Sequence, residues 1–452
     1  MELIQTLQGL KELIRKSETE EALAELASFI ENIDADLLDE VYALQQQMSL
    51  CQQNIRLNLI DHKEYSITFS NISFSTLRLI TVANKKLQNQ QQSSVPSAGF
   101  SVDDHPAPTS AGQAPAGPDA ELLQAGYQKM QQEDYTGALN DFTAFHEKNP
   151  ESWEVKQHFA TLYEQLGLWE EAMHWYSETI RQNPKQALAF NNRGNIYLEQ
   201  LEDYGKAYKD FNAAVVADPN LTAAQFNRAL AAMHLGEYPQ AIADLTVCID
   251  SNFERAMATG LRGICRVQTA NYSDAETDLK VALSADPSNA SYWGSHGLCR
   301  YHLGAYPEAV ELMTKALELD PSQLEIQTVR GIAYYFLENY DAAEADFEWV
   351  VQQNPDYGYA WFYLGLVHKV RGAYEPAVDC LVKSYTLEPD LADAYAIMGV
   401  IAFEQEQYVE AIQFCERALQ SEPENETARE FLEKAHAAKN NSGGLFGKLF
   451  GG

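Results

Sequence analysis

A repeat of 34 residues recurs nine times between Asp119 and Pro423, and no other feature of the chain restricts its fold so strongly. Proline sets the frame: Pro150, Pro184, Pro219, Pro287, Pro321, Pro355, Pro389 and Pro423, with Phe253 where one proline is missing. The third repeat carries one extra residue, near Glu199 to Asp203. When this frame residue is counted as the thirty-second, the eighth is small every time (Gly126, Ala160, Gly194, Ala229, Gly263, Gly297, Gly331, Gly365, Gly399). The twentieth is alanine throughout, from Ala138 to Ala411, and an aromatic precedes it, from Tyr135 and Trp169 to Tyr408. A small residue on a first helix facing an alanine on a second lets two backbones approach closely. The aromatic fills the turn, and proline stops the second helix because it cannot donate to the preceding turn. One such hairpin cannot bury its apolar face alone, so neighbours must stack.

At these positions the chain resembles the tetratricopeptide repeat family. Trp361, Leu364, Gly365, Ala377, Leu381 and Pro389 follow the family pattern most closely, with His368 in place of the usual tyrosine. The resemblance implies an all-α chain in which residues 119–425 form a nine-repeat, right-handed superhelical solenoid. Residues 426–440, ETAREFLEKAHAAKN, suit a capping helix with a polar outer side. The tail 441–452 is rich in Gly, Leu and Phe, and Leu445, Phe446, Leu449 and Phe450 share one side if it is helical. Three readings of it stay open: an unstructured end, a short docking motif for a groove (its own included), or a weak membrane foothold.

Residues 1–87 read as a separate four-helix bundle. Leu3, Leu7, Leu10 and Ile14 keep helical spacing, Ser17 to Glu20 is a capping box, and Asp61 to Glu64 is another. The stretches IRKSETEEALAEL and DEVYALQQQMSLCQQNIRLNLIDHKEYSITFSNISFSTLRLI are similar to the bacterial effector-associated domains, although the usual glycine before Lys63 is absent. That resemblance implies a module coupling sensor and effector proteins of bacterial conflict systems by like-with-like association. The plainer alternative is a cap or dimerisation bundle, which makes a homo-oligomer through residues 1–87 possible. Residues 88–118 carry QNQQQSS, then prolines and small residues with little to pack, and read as a flexible linker.

Composition narrows the partners. Sixty-five acidic against 32 basic residues leave a net charge of −33, which argues against nucleic acid or an anionic membrane as the main partner. The six cysteines (Cys51, Cys248, Cys265, Cys299, Cys380, Cys415) show no CxxC or zinc-like spacing. The start MELIQTLQGL lacks a signal-peptide layout, and no apolar run is long enough to span a bilayer, so a cytoplasmic protein without integral membrane contact is expected. No P-loop, GxGxxG, GxSxG or HExxH occurs. Neither catalysis nor a metal or cofactor is therefore expected, and binding to proteins or peptides remains.

Two patterns go beyond the family consensus. The seventh residue is arginine in repeats three, four, five and seven (Arg193, Arg228, Arg262, Arg330), and the same repeats carry aspartate at the twenty-third (Asp210, Asp244, Asp278, Asp346). Charges that come and go together predict structural ion pairs between the helices of one hairpin. The second pattern concerns the concave groove, which the family resemblance places at residues 2, 5, 9 and 12 of each first helix. Over repeats three to six those sixteen sites hold no charge, in a chain that is 21% charged. They include Asn191, Asn195, Phe226, Leu230, Met233, Met257, Gly260, Ile264, Gly294, Leu298 and Tyr301, and repeats seven and eight add Tyr335, Tyr359 and Phe362. Asn192 and Asn227 resemble groove asparagines that hold a ligand backbone in related solenoids. A carboxylate clamp for chaperone tails would also need lysines, and only Asn195 and Asn227 are present.

The expected function is a bacterial adaptor whose groove takes an apolar or amphipathic peptide or helix while the N-terminal bundle recruits an effector or signalling partner. The alternative is a chaperone-like or assembly scaffold in which that bundle only dimerises.

Overall fold

The computed structural model describes residues 118–450 and the single position Val41. The expected bundle and nearly all of the expected linker lie outside the described residues. Repeat one is α1 (Pro118–Gln131) and α2 (Tyr135–Lys148), repeat two α3 (Trp153–Gln165) and α4 (Trp169–Gln182), repeat three α5 (Ala187–Glu199) and α6 (Tyr204–Ala217). Repeat four is α7 (Thr222–His234) and α8 (Tyr238–Asp250), repeat five α9 (Arg255–Gln268) and α10 (Tyr272–Ala285), repeat six α11 (Ala290–His302) and α12 (Tyr306–Leu319). Repeat seven is α13 (Leu324–Phe336) and α14 (Tyr340–Gln353), repeat eight α15 (Gly358–Val370) and α16 (Tyr374–Leu387), repeat nine α17 (Ala392–Glu404) and α18 (Tyr408–Ser421). The last helix is α19 (Glu426–Phe450), and the described residues contain no strand.

The chain divides within α7 into two compact units, residues 1–227 and 228–452. In each, a second helix packs on the next repeat's first helix, as α2 does on α3 and α10 on α11. Consecutive first helices also touch: α1 with α3 in the first unit, and α9, α11, α13, α15 and α17 in series in the second. First helices therefore crowd one side of each stack.

The eighth residue explains how closely the two helices of a hairpin approach. A Cβ added at Gly194 would lie 2.6 Å from Cε1 of Phe211, and one added at Gly297 would lie 2.6 Å from Cγ of Met313. At Gly365 it would meet Leu381 at 2.9 Å and the Ala377 carbonyl oxygen at 3.2 Å. The side chain opposite the small residue is thus the twenty-fourth, not the twentieth. The alanine contributes its backbone, which comes close because its own side chain is short. Phe142, Phe211 and Phe347 occupy the twenty-fourth site fully buried, each contributing about 2–3 kcal/mol by burial.

Turns within repeats share one device. The fifteenth residue, or its counterpart in repeat three, adopts left-handed φ in all nine repeats. Four are glycines (Gly167, Gly236, Gly304, Gly372), but Glu133, Glu202, Ala270, Glu338 and Glu406 hold φ of 50–61° with a side chain present. Turns between repeats depend on proline. Asn183, Asp218, Asp286 and Asp320 cap their helices with ψ of 85–98°, the extended conformation that a following proline demands. Where Phe253 replaces proline, Ser251 stays near helical ψ and the chain escapes through left-handed Asn252 (φ 59°) and Glu254 (φ 43°).

At the C-terminal end, Ala428, Phe431, Leu432 and Ala435 of α19 pack on α17 and α18, while Arg429, Glu430, Glu433 and Lys434 are exposed. Asn425 opens this cap by accepting from the Ala428 amide at 3.0 Å. The helix runs past the expected end at Asn440 and continues to Phe450 through the glycine-rich tail. Ala270 carries the left-handed cost with no compensating polar side chain. Ala270→Gly is expected to raise unfolding stability by about 0.5–1 kcal/mol, read from urea denaturation at constant m-value.

Candidate protein-interaction surface

The four arginines and four aspartates come together in pairs. Arg193, Arg228, Arg262 and Arg330 each donate through Nε and Nη2 to both carboxylate oxygens of Asp210, Asp244, Asp278 and Asp346, at 2.6–2.9 Å. The aspartate side chains are 5–10% exposed and the arginines 13–18%. Hydrogen bonds donated to Asp210 and Asp278 raise the pKa of Arg193 and Arg262 against the opposing effect of burial. In repeat one, Asp141 takes Lys129 instead, at 2.7 Å.

The third donor of three arginines reaches out of its own repeat. Nη1 of Arg193 donates to Ser177 Oγ at 2.9 Å, and Nη1 of Arg262 and Arg330 to Oγ1 of Thr246 and Thr314 at 3.1 Å. Each acceptor is the twenty-fifth residue of the preceding repeat. Reading the repeats one at a time hides this link, although a hydroxyl one repeat upstream of the arginine was visible in the chain. Where the arginine is missing in repeat six, His296 stands in its place, with both ring nitrogens buried and unbonded. Its nearest carboxylate oxygen, on Glu276 at 3.6 Å, is already held by Arg300 and Lys280.

The asparagines form a ladder in the first unit. Asn227 Nδ2 donates to Asn195 Oδ1 at 2.9 Å and to Asn191 Oδ1 at 3.1 Å. Asn191 donates to Asn192 at 3.2 Å, and Asn192 to the Tyr176 hydroxyl at 3.1 Å, which in turn donates to Glu164. The amide hydrogens of Asn227 and one of Asn192 are thus spent inside the protein, not held out for a ligand.

The charge-free sites split by position. The fifth residues are buried: Asn191 and Phe226 are 7% exposed, Phe362 is 9%, and Gly260 and Gly294 are also closed to solvent. A Cβ at Gly260 would meet Tyr292 of the next repeat at 2.3 Å, and one at Gly294 would meet Ile326 at 3.0 Å. These are packing positions, and Leu298 is buried with them. Leu230, Met233, Met257, Ile264, Tyr301 and Tyr335 remain partly accessible, and Tyr359 is 48% exposed. Tyr335 and Tyr363 pack with other aromatic residues against one buried cluster on repeats seven and eight, and burial raises the pKa of Tyr363. Of Leu445, Phe446, Leu449 and Phe450, only their place at the end of α19 is defined.

Among the described residues no group of three side chains is placed to hold a metal ion, and no helix is long and apolar enough to cross a membrane. The thiols of Cys248, Cys265 and Cys299 are buried, which pushes their pKa up to about 12.

Profiles described as tetratricopeptide repeat match residues 129–191, 191–247, 262–323, 328–380 and 392–425, more than half of the chain, and the chain belongs to that family. Residues 5–82 match the profile described as effector-associated domain 11. Serine/threonine-protein phosphatase 5 of Homo sapiens is 34% identical over 76 residues, 17% of this chain and 15% of the phosphatase, and the Rattus norvegicus protein matches to the same extent. The chain therefore spans less than a sixth of these relatives' length. Among solved structures, YrrB, described as a TPR protein with an unusual peptide-binding site, is 21% identical over 41% of this chain and 95% of that one, with a TM-score of 0.38. A tetratricopeptide repeat protein from Parabacteroides merdae is 19% identical over 55% of this chain and 98% of that one, with a TM-score of 0.37.

Two outcomes follow from these polar contacts. Asp278 serves both Arg262 and Arg266, so Asp278→Ala strands two guanidinium groups. It is expected to destabilise the protein by about 3 kcal/mol in chemical denaturation; an unchanged midpoint would remove the pairs from any structural role. His158, packed between Tyr127 and the stacked ring of Phe142, has its pKa pushed by burial down to about 4. A folded-state pKa below the unfolded value means that its contribution is present above about pH 6.5 and is lost as pH falls through about 4. The His158→Phe variant is expected to lose less stability than the parent across that window, in urea melts at stepped pH.

Proposed function

We propose that this tetratricopeptide-repeat scaffold is a non-catalytic adaptor. The accessible, charge-free residues on the first helices of its second unit take an apolar or amphipathic segment of a partner protein. Residues 1–87, of which 5–82 match effector-associated domain 11, recruit a second protein that carries a similar domain, in the cytoplasm of a bacterium. The observation that carries the first half is Met257, Ile264, Tyr301, Tyr335 and Tyr359, which keep accessible surface without one charge among them. Apolar surface of that kind, in a chain so acidic overall, is the usual mark of an interaction site.

A labelled amphipathic helical peptide of about 18 residues, long enough to cross several repeats, titrated with the full chain tests it. Ile264→Glu is expected to weaken binding by about tenfold or more. Val281→Glu, on the outward side of α10 at a residue 54% exposed, should leave affinity unchanged. Equal effects of the two substitutions would reject the reading. For the N-terminal half, co-purification of the full chain with another protein bearing effector-associated domain 11 should depend on residues 1–87. Self-association alone would favour the scaffold whose N-terminal domain only dimerises.

A further inference from the structure

We infer that the turn edge of repeats five to seven is a second binding surface, built for an extended, arginine-bearing segment of a partner protein. The observation is an unbroken series of rings. Tyr272, the turn aromatic of repeat five, stacks on His302 of repeat six, with centroids 4.6 Å apart and planes 10° apart. Tyr306 of repeat six stacks on Phe336 of repeat seven in the same way, at 5.1 Å and 11°. Tyr301 joins these two rungs, lying 5.2 Å from His302 and 5.7 Å from Tyr306, and Tyr335 lies 6.0 Å from Phe336.

Stacking of hairpins does not require this series. The site that Phe336 fills, the thirteenth of its repeat, is Val370 in repeat eight and Glu404 in repeat nine. Phe336 is 52% exposed, and Leu303 and Leu337 beside the rungs are 51% and 40% exposed. A large apolar edge left in water marks an interaction surface.

Charge identifies the occupant. Exposed Asp274, Glu308 and Glu338 each follow a ring of the series (Tyr272, Tyr306 and Phe336) by two residues. The nearby cation Arg371 is committed to Asp341 and Glu344. Ring faces take the plane and stem of a guanidinium, and carboxylates take its charge. The net charge of −33 adds long-range attraction for a basic segment. Packed helices lie about 8–10 Å apart, and a chain in the extended polyproline II conformation advances about 3.1 Å per residue and returns its side chains to the same side every third residue. Arginines about three residues apart would therefore meet successive rungs. This surface does not depend on the inner-face reading above.

The test uses a labelled peptide of about twelve residues with arginine at every third position and Pro, Ser or Ala elsewhere. Lysine and glutamine versions accompany it, all titrated with the full chain. The arginine peptide is expected to bind, the lysine version several-fold more weakly, and the glutamine version not at all. Phe336→Ala should weaken arginine binding by about fivefold to tenfold. Glu308→Gln with Glu338→Gln should do the same and flatten its dependence on salt. These residues are exposed, so unchanged thermal melting confirms that the variants stay folded. Failure of the arginine peptide to saturate, equal binding of the lysine version, or an unchanged affinity in Phe336→Ala would each overturn the inference. Ile264→Glu should leave arginine binding intact, and a loss there alone would move the peptide to the inner face and reject this surface.

Discussion

Each repeat depends on the contact between its eighth and twenty-fourth residues. A Cβ at Gly126 would sit 2.5 Å from a ring carbon of Phe142, and one at Gly331 would sit 2.8 Å from Phe347. In the seven repeats whose eighth residue is glycine, one missing methyl therefore sets how deeply the second helix's side chain enters the first. Because interiors are close-packed, that depth also fixes the relation of the two helices. A hairpin so made still has apolar sides to cover. The second helix covers one against the next repeat, and α19 closes the last with Ala428 and Ala435 fully buried. Everything presented to a partner is displayed on this regular frame.

The polar interior divides into two kinds. The arginine–aspartate pairs tie the two helices of one repeat, and the Nη1 contacts to Ser177, Thr246 and Thr314 tie that pair to the repeat before it. A buried ion pair adds little net stability over an apolar pair of equal volume. Its geometry is nonetheless demanding, since a planar fork satisfied by one carboxylate and one hydroxyl leaves little room for slippage. Repeat two, which lacks it, has an aromatic contact in its place, with Phe159 tilted on Trp175 at 4.8 Å. The asparagine ladder works differently. It joins α5 to Tyr176 on α4 and to Asn227 at the edge of the same unit, chaining amides that would each be costly to bury alone.

Surfaces follow from what the frame leaves uncovered. On the first helices of the second unit the ninth and twelfth residues keep accessible area at Ile264, Tyr301 and Tyr335, while the fifth are consumed by the next repeat. Along the turn edge, ring stacking between repeats is present wherever the thirteenth residue is His302 or Phe336. The two surfaces meet at Tyr301 and Tyr335 but differ in chemistry: one is apolar and free of charge, the other aromatic and bordered by carboxylates. An acidic repeat array with two such faces suits a protein that works through contacts with other proteins.

Most of the fold was legible in the chain because the repeat states it nine times over. Proline and alanine at constant spacing gave the hairpin boundaries, and the co-occurrence of Arg193 with Asp210 pointed to a contact across the hairpin. Three things could not be read from spacing. The partner of the small eighth residue is the twenty-fourth side chain, because helix approach is decided by rotation about the axis. The turn at Phe253 takes left-handed residues, because without proline Asn252 is released from the restriction that holds its counterparts, such as Asp218 and Asp286, extended. The fifth residues Gly260 and Gly294, uncharged like the accessible sites, are buried because the third residue of the following repeat, Tyr292 or Ile326, fills the space beside them. Spacing along one chain specifies which residues lie on a common helix face. Only the packing of neighbouring hairpins decides which part of that face stays open to a partner.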